Sequence, residues 1–293
     1  MQAILVVGDV MTDVIVRPEG PLVRGSDRRA EIRSRPGGSG ANQAVWLGAQ
    51  GARVRFAARV GADDVPRLEA HFARFGVEAR LAADPALPSG VLVTLLDVDG
   101  ERSFLTDRGA NLALGPADLP DDLLDEAGLL LVSGYSYFAA GPRGAIVDLA
   151  ARARARGLAL AVDPASVGFL REVGPADFLA WTSGAGLVFA NGEEAECLTG
   201  TADLAEQMRR LGSHYRDVIV KLGARGAALG DAAGLRLALP APSVPVLDTT
   251  GAGDAFAAGF LTTRLRGGDD HACLAAGIAA GSRAVQQVGG QPG

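Results

Sequence analysis

Asp248-Thr249-Thr250-Gly251-Ala252-Gly253-Asp254, followed by AFAAGFLTTRL at 255–265, joins a glycine turn to a segment whose apolar spacing is helical. A Gly-Ala-Gly turn that opens a helix leaves backbone N–H groups bare at the positive end of the helix dipole, where a phosphoryl group gaining charge is stabilised. Small residues let that group come close to the backbone. Asp254 falls in the first turn, beside such an anion, where its carboxylate can accept the proton of an attacking hydroxyl. An Asp capping a helix after a flexible turn is the competing reading; it explains Asp254 but not the full seven-residue run.

Outward from this segment the chain alternates. Short β-like runs stand at 4–8, 54–61, 128–134, 158–163, 186–191 and 217–223, with helical patterns at 40–50, 64–75, 142–156, 192–198, 203–212, 252–266 and 270–287. Strand-helix alternation with strands apolar on both faces predicts an α/β fold, a doubly wound and mostly parallel sheet flanked by helices. Residues 12–35 and 90–107 break the rhythm with extended, alternating patterns and turn residues at Pro18–Gly20, Gly25–Asp27 and Asp99–Gly100. They are assigned to a small antiparallel sheet, a β lid over the carboxyl edge of a core formed by 1–11, 36–89 and 108–293.

Composition narrows the function. A formal charge of −6 and no dense basic cluster argue against nucleic acid as partner, and no apolar run approaches the length of a membrane span. The run Ile4 to Val7 is too short for a signal-peptide core. Cys197 and Cys273 lie far apart without C-x-x-C spacing, which suits a reducing compartment, the cytoplasm. His71, His214 and His271 are scattered, so a zinc site has no support. Lys221 is the only lysine and the other 27 basic residues are arginine. It sits in VIVKLG and not in a G-x-x-x-x-G-K-[ST] loop, which excludes a P-loop enzyme, and no G-x-G-x-x-G follows the first strand, which weighs against a dehydrogenase.

A second glycine turn, Arg35-Pro36-Gly37-Gly38-Ser39-Gly40-Ala41-Asn42-Gln43-Ala44, also runs into a helix. Gly38 and Gly40 allow a polyhydroxy ligand to lie against the backbone, and the Asn42 amide can both donate to and accept from a hydroxyl pair. Asp9 and Asp13, after the first strand, can accept further hydroxyls. The two glycine segments, in this order and about 210 residues apart, resemble the two signatures of the ribokinase-like, or PfkB, family of carbohydrate kinases, and the likeness runs from Gly8 to Gly289.

That resemblance implies ATP as phosphoryl donor with Mg2+, Asp254 as catalytic base, and Gly251, Ala252 and Gly253 as the anion hole. It implies that Asp13, Gly38 and Asn42 hold substrate hydroxyls, with Ser39 in the same wall where ribokinases carry lysine. Asn191-Gly192-Glu193-Glu194 looks like the family's N-x-x-E element, in which Asn191 and Glu194 organise magnesium and phosphate largely through water; the same spacing is also a helix capping box. Lys221, Gly223 and Gly226 look like the strand-turn element beside the nucleotide phosphates, and Gly277, Ile278 and Gly281 like the adenine pocket. Asp248 and Thr250, with the carbonyls of Ala284, Gln287 and Gly289, match a loop that holds potassium in some members; the serine expected near its end is Gly293 here. Pairing of lid edges into a homodimer is a further implication.

The acceptor is read as a small sugar or sugar acid. The ribokinase likeness lies in GGSGANQA at 37–44 and GGQP at 289–292, but Ser133-Gly134-Tyr135 replaces an acid that contacts the sugar. Arg108, in TDRGAN, is a candidate for pairing an anionic acceptor such as a keto-acid sugar or phosphosugar. A nucleoside kinase is the alternative, and it would stack the base on aromatic side chains. A non-catalytic sugar-binding regulator is a third reading, which Asp254 and the intact anion hole oppose.

Overall fold

The structure, a computed structural model, describes residues 2–96 and 102–293. Strands β1 (Ala3–Val7), β2 (Met11–Pro18) and β3 (Ala30–Gly37) lead into helix α1 (Ser39–Ala49), then β4 (Val54–Gly61), α2 (Val65–Ala73), β5 (Val77–Asp84), β6 (Gly90–Leu96) and β7 (Arg102–Asp107). The chain continues through β8 (Ala127–Ser133), α3 (Ala140–Ala155), β9 (Ala159–Asp163), α4 (Val167–Val173), α5 (Pro175–Trp181), β10 (Leu187–Asn191), α6 (Gly192–Thr199) and α7 (Leu204–Gly212). It ends with β11 (Asp217–Lys221), β12 (Ala227–Asp231), β13 (Gly234–Leu239), α8 (Ala252–Leu265) and α9 (Asp270–Ala284). Among the described residues no helix is long and apolar enough to cross a membrane.

The main sheet has the order β13-β12-β11-β10-β9-β8-β1-β4-β5. From β11 to β5 every neighbour is parallel, while β12 and β13 form an antiparallel hairpin at one edge. Both faces are covered, as the apolar strands predict. Ile4 and Val6 of β1 point into a layer shared with α1, α2, α8 and α9, whereas Leu5 and Val7 join a second layer with α3 to α7. Each buried Leu, Ile or Phe contributes about 1.5–3 kcal/mol, so the sandwich can carry the fold without its polar edge. Strand addition goes one way from β1 to β4 and β5 and then reverses through β8, so a crevice opens at the carboxyl ends of β1 and β8.

A separate four-stranded sheet has the order β3-β2-β6-β7. The sequence suggested a wholly antiparallel sheet, and this is corrected: two antiparallel hairpins are joined by a parallel β2–β6 pair. Both β2 and β6 leave the carboxyl edge of the main sheet in the same direction, so where they meet they run side by side. Their register aligns Arg35, Asp13, Leu92 and Thr106 across the four strands. The turn read at Asp99–Gly100 lies outside the described residues. Strand β5, the β12–β13 hairpin and helices α4 and α5 were not foreseen. VEARLAAD is a half-exposed edge strand of weak β-formers, and the hairpin is built around an Asp231 side chain that accepts from Ala233 N (2.8 Å).

Candidate active site

The carboxyl edge collects the polar groups. Asp9 follows β1, Ser133 ends β8, Asp163 ends β9, Asn191 ends β10 and Lys221 ends β11. Two helices begin over this edge. Gly38 adopts φ 95° before α1, and a Cβ there would stand 2.6 Å from Asp9 O, so glycine lets α1 start directly above the end of β1. Gly251 adopts φ 72° before α8, with Gly290 O 2.3 Å from where its Cβ would be. The amides that follow, in the first turn of α8, have no acceptor within the helix.

Asp254, third in α8, is held from α1. Its Oδ1 accepts from Ser39 Oγ (2.7 Å) and Gln43 Nε2 (3.2 Å), and its Oδ2 accepts from Asn42 Nδ2 (3.1 Å). Burial, reinforced by the negative charge of Asp163, raises its pKa to about 7 against the opposing pull of these hydrogen bonds and of Lys221. A carboxylate that titrates near neutrality is matched to proton abstraction from a hydroxyl.

Lys221 Nζ bonds Asp163 Oδ2 at 2.7 Å and lies 3.0 Å from where a Cβ on Gly253 would stand, over the glycine turn. Burial disfavours its charge, but Asp163 and Glu194 outweigh this and hold its pKa above the ordinary value. Asn191 and Glu194 do form the capping box, with Glu194 N donating to Asn191 Oδ1 (2.9 Å) and Asn191 N to Glu194 Oε2 (2.8 Å). Both also face the site. Burial pushes the Glu194 carboxyl upward against the pull of Lys221.

These groups line a polar cavity of about 300 Å³ together with Asp9, Asp13, Gly38, Ser39, Asn42, Arg108, Tyr135 and Phe169. Asp13 Oδ1 and Asn42 Oδ1 are buried acceptors with no hydrogen-bond partner among the described residues, a fit for ligand hydroxyls that donate. Burial, then Asp9 and Asp248, raise the Asp13 pKa to about 7. Arg108 is within 3.6 Å of Asp9 Oδ2 and lies 4.7 Å over the Tyr135 ring, so its charge is already partly matched.

An apolar cleft of about 430 Å³ adjoins the polar cavity, and Lys221 and Gly253 are walls of both. Gly223, Gly226, Ile278 and Gly281 line the cleft with Ala252 and Phe256. Gly277 does not reach its surface: a Cβ there would meet the Phe256 ring at 2.9 Å, so it sets the α8–α9 approach one layer behind. Asp248 Oδ1 accepts from Thr250 N (3.0 Å) and Oγ1 (2.7 Å), and Oδ2 from Gly289 N (3.0 Å), tying the C-terminal loop to the glycine turn.

Gln43, Asp163, Phe169 and Ala165 are among the residues of the site with no role assigned from sequence. Gln43 lies one turn beyond Ser39, a spacing that puts both on one helix face. Asp163 ends the buried run LALAVD, and an acid closing a parallel strand at the ligand edge was the available signal. Phe169 is brought in by the unforeseen α4 and packs against Tyr135 with centroids 5.9 Å apart. Ala165 adopts φ 71° in the cavity wall, a backbone state that no sequence signal marks.

Comparison with known proteins bears on the family and the fold of the chain. The sequence model described as pfkB family carbohydrate kinase matches residues 1–293. The bifunctional protein HldE of Shewanella baltica (strain OS195) is 32% identical over 302 residues, covering 95% of this chain but 59% of that protein, so the chain spans about three fifths of this relative. The aminoimidazole riboside kinase of Salmonella typhimurium is 32% identical over 305 residues, covering 99% of this chain and 91% of that one. The structure of adenosine kinase from Sinorhizobium meliloti superposes with a TM-score of 0.89 at 25% identity, covering 99% and 96% of the two chains. A putative ribokinase II from E. coli, in complex with ATP and Mg2+, shares the fold with a TM-score of 0.88 at 20% identity and covers 99% of this chain and 94% of that one. On the match along its whole length, the chain belongs to the pfkB family of carbohydrate kinases and has the ribokinase-like fold.

Proposed function

We propose that the protein transfers the γ-phosphoryl group of ATP to a hydroxyl of a small sugar or sugar-like acceptor, with Asp254 as general base. One observation carries this reading: Asp254 and the glycine turn stand where a polar cavity, with unpaired acceptors on Asp13 and Asn42, meets an apolar cleft of a size suited to a nucleobase and its sugar. The acceptor sits in the first and ATP in the second. Asp254 takes the hydroxyl proton, the oxygen attacks the γ-phosphorus, and the bond to the β-phosphate oxygen breaks to release ADP. The first-turn amides of α8 and the ammonium of Lys221 stabilise the charge on the transferring group.

Glu194 and Asp163 offer only oxygen donors, buried and beside the phosphate path, which fits a cation that keeps its water shell. Mg2+ held through them would neutralise the phosphates. Among the described residues no cluster of three or more acids, histidines and cysteines could hold a metal alone, so the phosphates would supply the rest of its shell. The loop of Asp248 and Thr250 is the proposed place for potassium. The small sheet acts as a lid, since Asp13, Leu92 and Thr106 extend from it into the cavity.

A second acceptor class has its own support. Tyr135 and Phe169 form an aromatic wall of the cavity, suited to the flat ring of a riboside, whereas Phe104, the aromatic expected of the lid, is 58% exposed and outside this cavity. A coupled ADP-release assay with Mg·ATP against ribose, fructose, 2-keto-3-deoxygluconate, phosphosugars and nucleosides decides between them. A simple sugar is expected to respond, and Phe169→Ala to leave its KM nearly unchanged. A riboside response with KM raised by Phe169→Ala supports the second reading, and ADP release that ignores every acceptor contradicts both.

A further inference from the structure

Ser39 was expected to contact substrate, yet its hydroxyl is committed elsewhere. Its proton goes to Asp254 Oδ1 (2.7 Å), and its oxygen accepts from Gln43 Nε2 (3.3 Å). Gln43 is fully buried, is not part of the cavity wall, and directs the same Nε2 at Asp254 Oδ1 (3.2 Å). Gln43 therefore reaches the reaction only through the carboxylate.

We infer that Ser39 and Gln43 are positioning residues that grip Oδ1 of Asp254 from one face of α1, fixing the carboxyl plane so that the remaining lone pair of Oδ2 meets the acceptor hydroxyl. The inference rests on Asp254 being the base. With Asn42 on Oδ2, three neutral donors from α1 orient the carboxylate without a cation at position 39. Ser39 thus acts on the rate of proton transfer and not on acceptor affinity. The charged and titratable groups facing Asp254 from other elements are Asp163 from β9, Lys221 from β11 and Tyr135 after β8. Substitutions on α1 leave all three in place, so a change in titration reports the donors themselves.

The test uses Ser39→Ala, Gln43→Leu and the hydroxyl-keeping Ser39→Thr. Carbon-13 NMR follows the Asp254 carboxyl across pH in protein without acceptor, its resonance assigned by its loss in Asp254→Asn. Losing a donor to a charged group is expected to move the midpoint upward by about one pH unit in Ser39→Ala and in Gln43→Leu. At pH 7, kcat with the best acceptor should fall about tenfold, as a general base set out of place loses part of its effect, while KM stays within about twofold. Ser39→Thr should restore both readouts. An unmoved midpoint overturns the inference, and so does a raised KM with intact kcat, which would make Ser39 a substrate contact. If Gln43→Leu fails to fold, Ser39→Ala and Ser39→Thr still decide. Midpoints that shift as expected in a protein that phosphorylates nothing would count against the base assignment and not against the grip.

Discussion

Asp254 is kept in a setting that opposes its charge, and that opposition has a thermodynamic signature. Its folded pKa of about 7 lies above the ordinary 3.8, so the native state binds this proton more tightly than the unfolded chain. Stability from this group is therefore fully present below pH 4 and is lost as pH rises to about 7; Asp13 acts with the same sign. Asp254→Asn and Asp13→Asn should each raise Tm by roughly 2–4 °C at pH 8 and by less at pH 5, as differential scanning fluorimetry would register. A lowered Tm at pH 8 would show that these carboxylates stabilise the fold. Ala165 stores strain of another kind, a left-handed backbone with a side chain at φ 71°. Ala165→Gly should add about 0.5–1 kcal/mol in urea unfolding and Ala165→Val should remove more than that; equal stabilities would leave the strain without energetic weight. Neither feature was legible in sequence, because burial and backbone torsion at single residues depend on tertiary neighbours. What could be read was the glycine-flanked Asp254, since a G-A-G-D run has few other uses.

At the scale of elements, the helix and strand periods were legible wherever an element buries one face against a sheet. All seven helices read from sequence are present, their ends within three residues. Elements set by pairing partners were not: β5 and the β12–β13 hairpin are poor β-formers stabilised by their neighbours, and the parallel β2–β6 contact joins segments far apart in the chain. The α6 N-terminus joins a structural role to a proposed chemical one, for Glu194 closes the capping box with one oxygen and faces the cavity. Glu194→Gln separates them. Glutamine preserves the cap, so Tm should hold or rise, while kcat at limiting Mg2+ should fall by about tenfold or more through lost charge. A variant with normal turnover and Mg2+ dependence would reduce Glu194 to a cap.

For the whole molecule, reversal of strand order at β1 and β8 explains why residues from distant segments share one edge. Gly38, Asn42, Asp163, Lys221 and Asp254 come from four separate elements or the turns beside them, and only Asp163 was not read from sequence as part of the site. The small sheet brings Asp13 over this edge, and the C-terminal loop braces the glycine turn through Asp248 and Gly290. The acceptor end was the least legible part, since Phe169 enters through α4 and the Arg108–Asp9–Tyr135 cluster joins three loops. Under the proposed function those contacts select the molecule to be phosphorylated, and the base and the glycine turn carry the transfer itself. The most direct test of that division is acceptor-dependent ADP release by the wild type and by Asp254→Asn, at matched Tm and across pH. The account predicts a wild-type rate that falls tenfold per unit below about pH 7 and a variant slower by about 10² to 10⁴ with acceptor binding retained. A variant that turns over like the wild type, or a wild-type rate that ignores the acceptor, would contradict it.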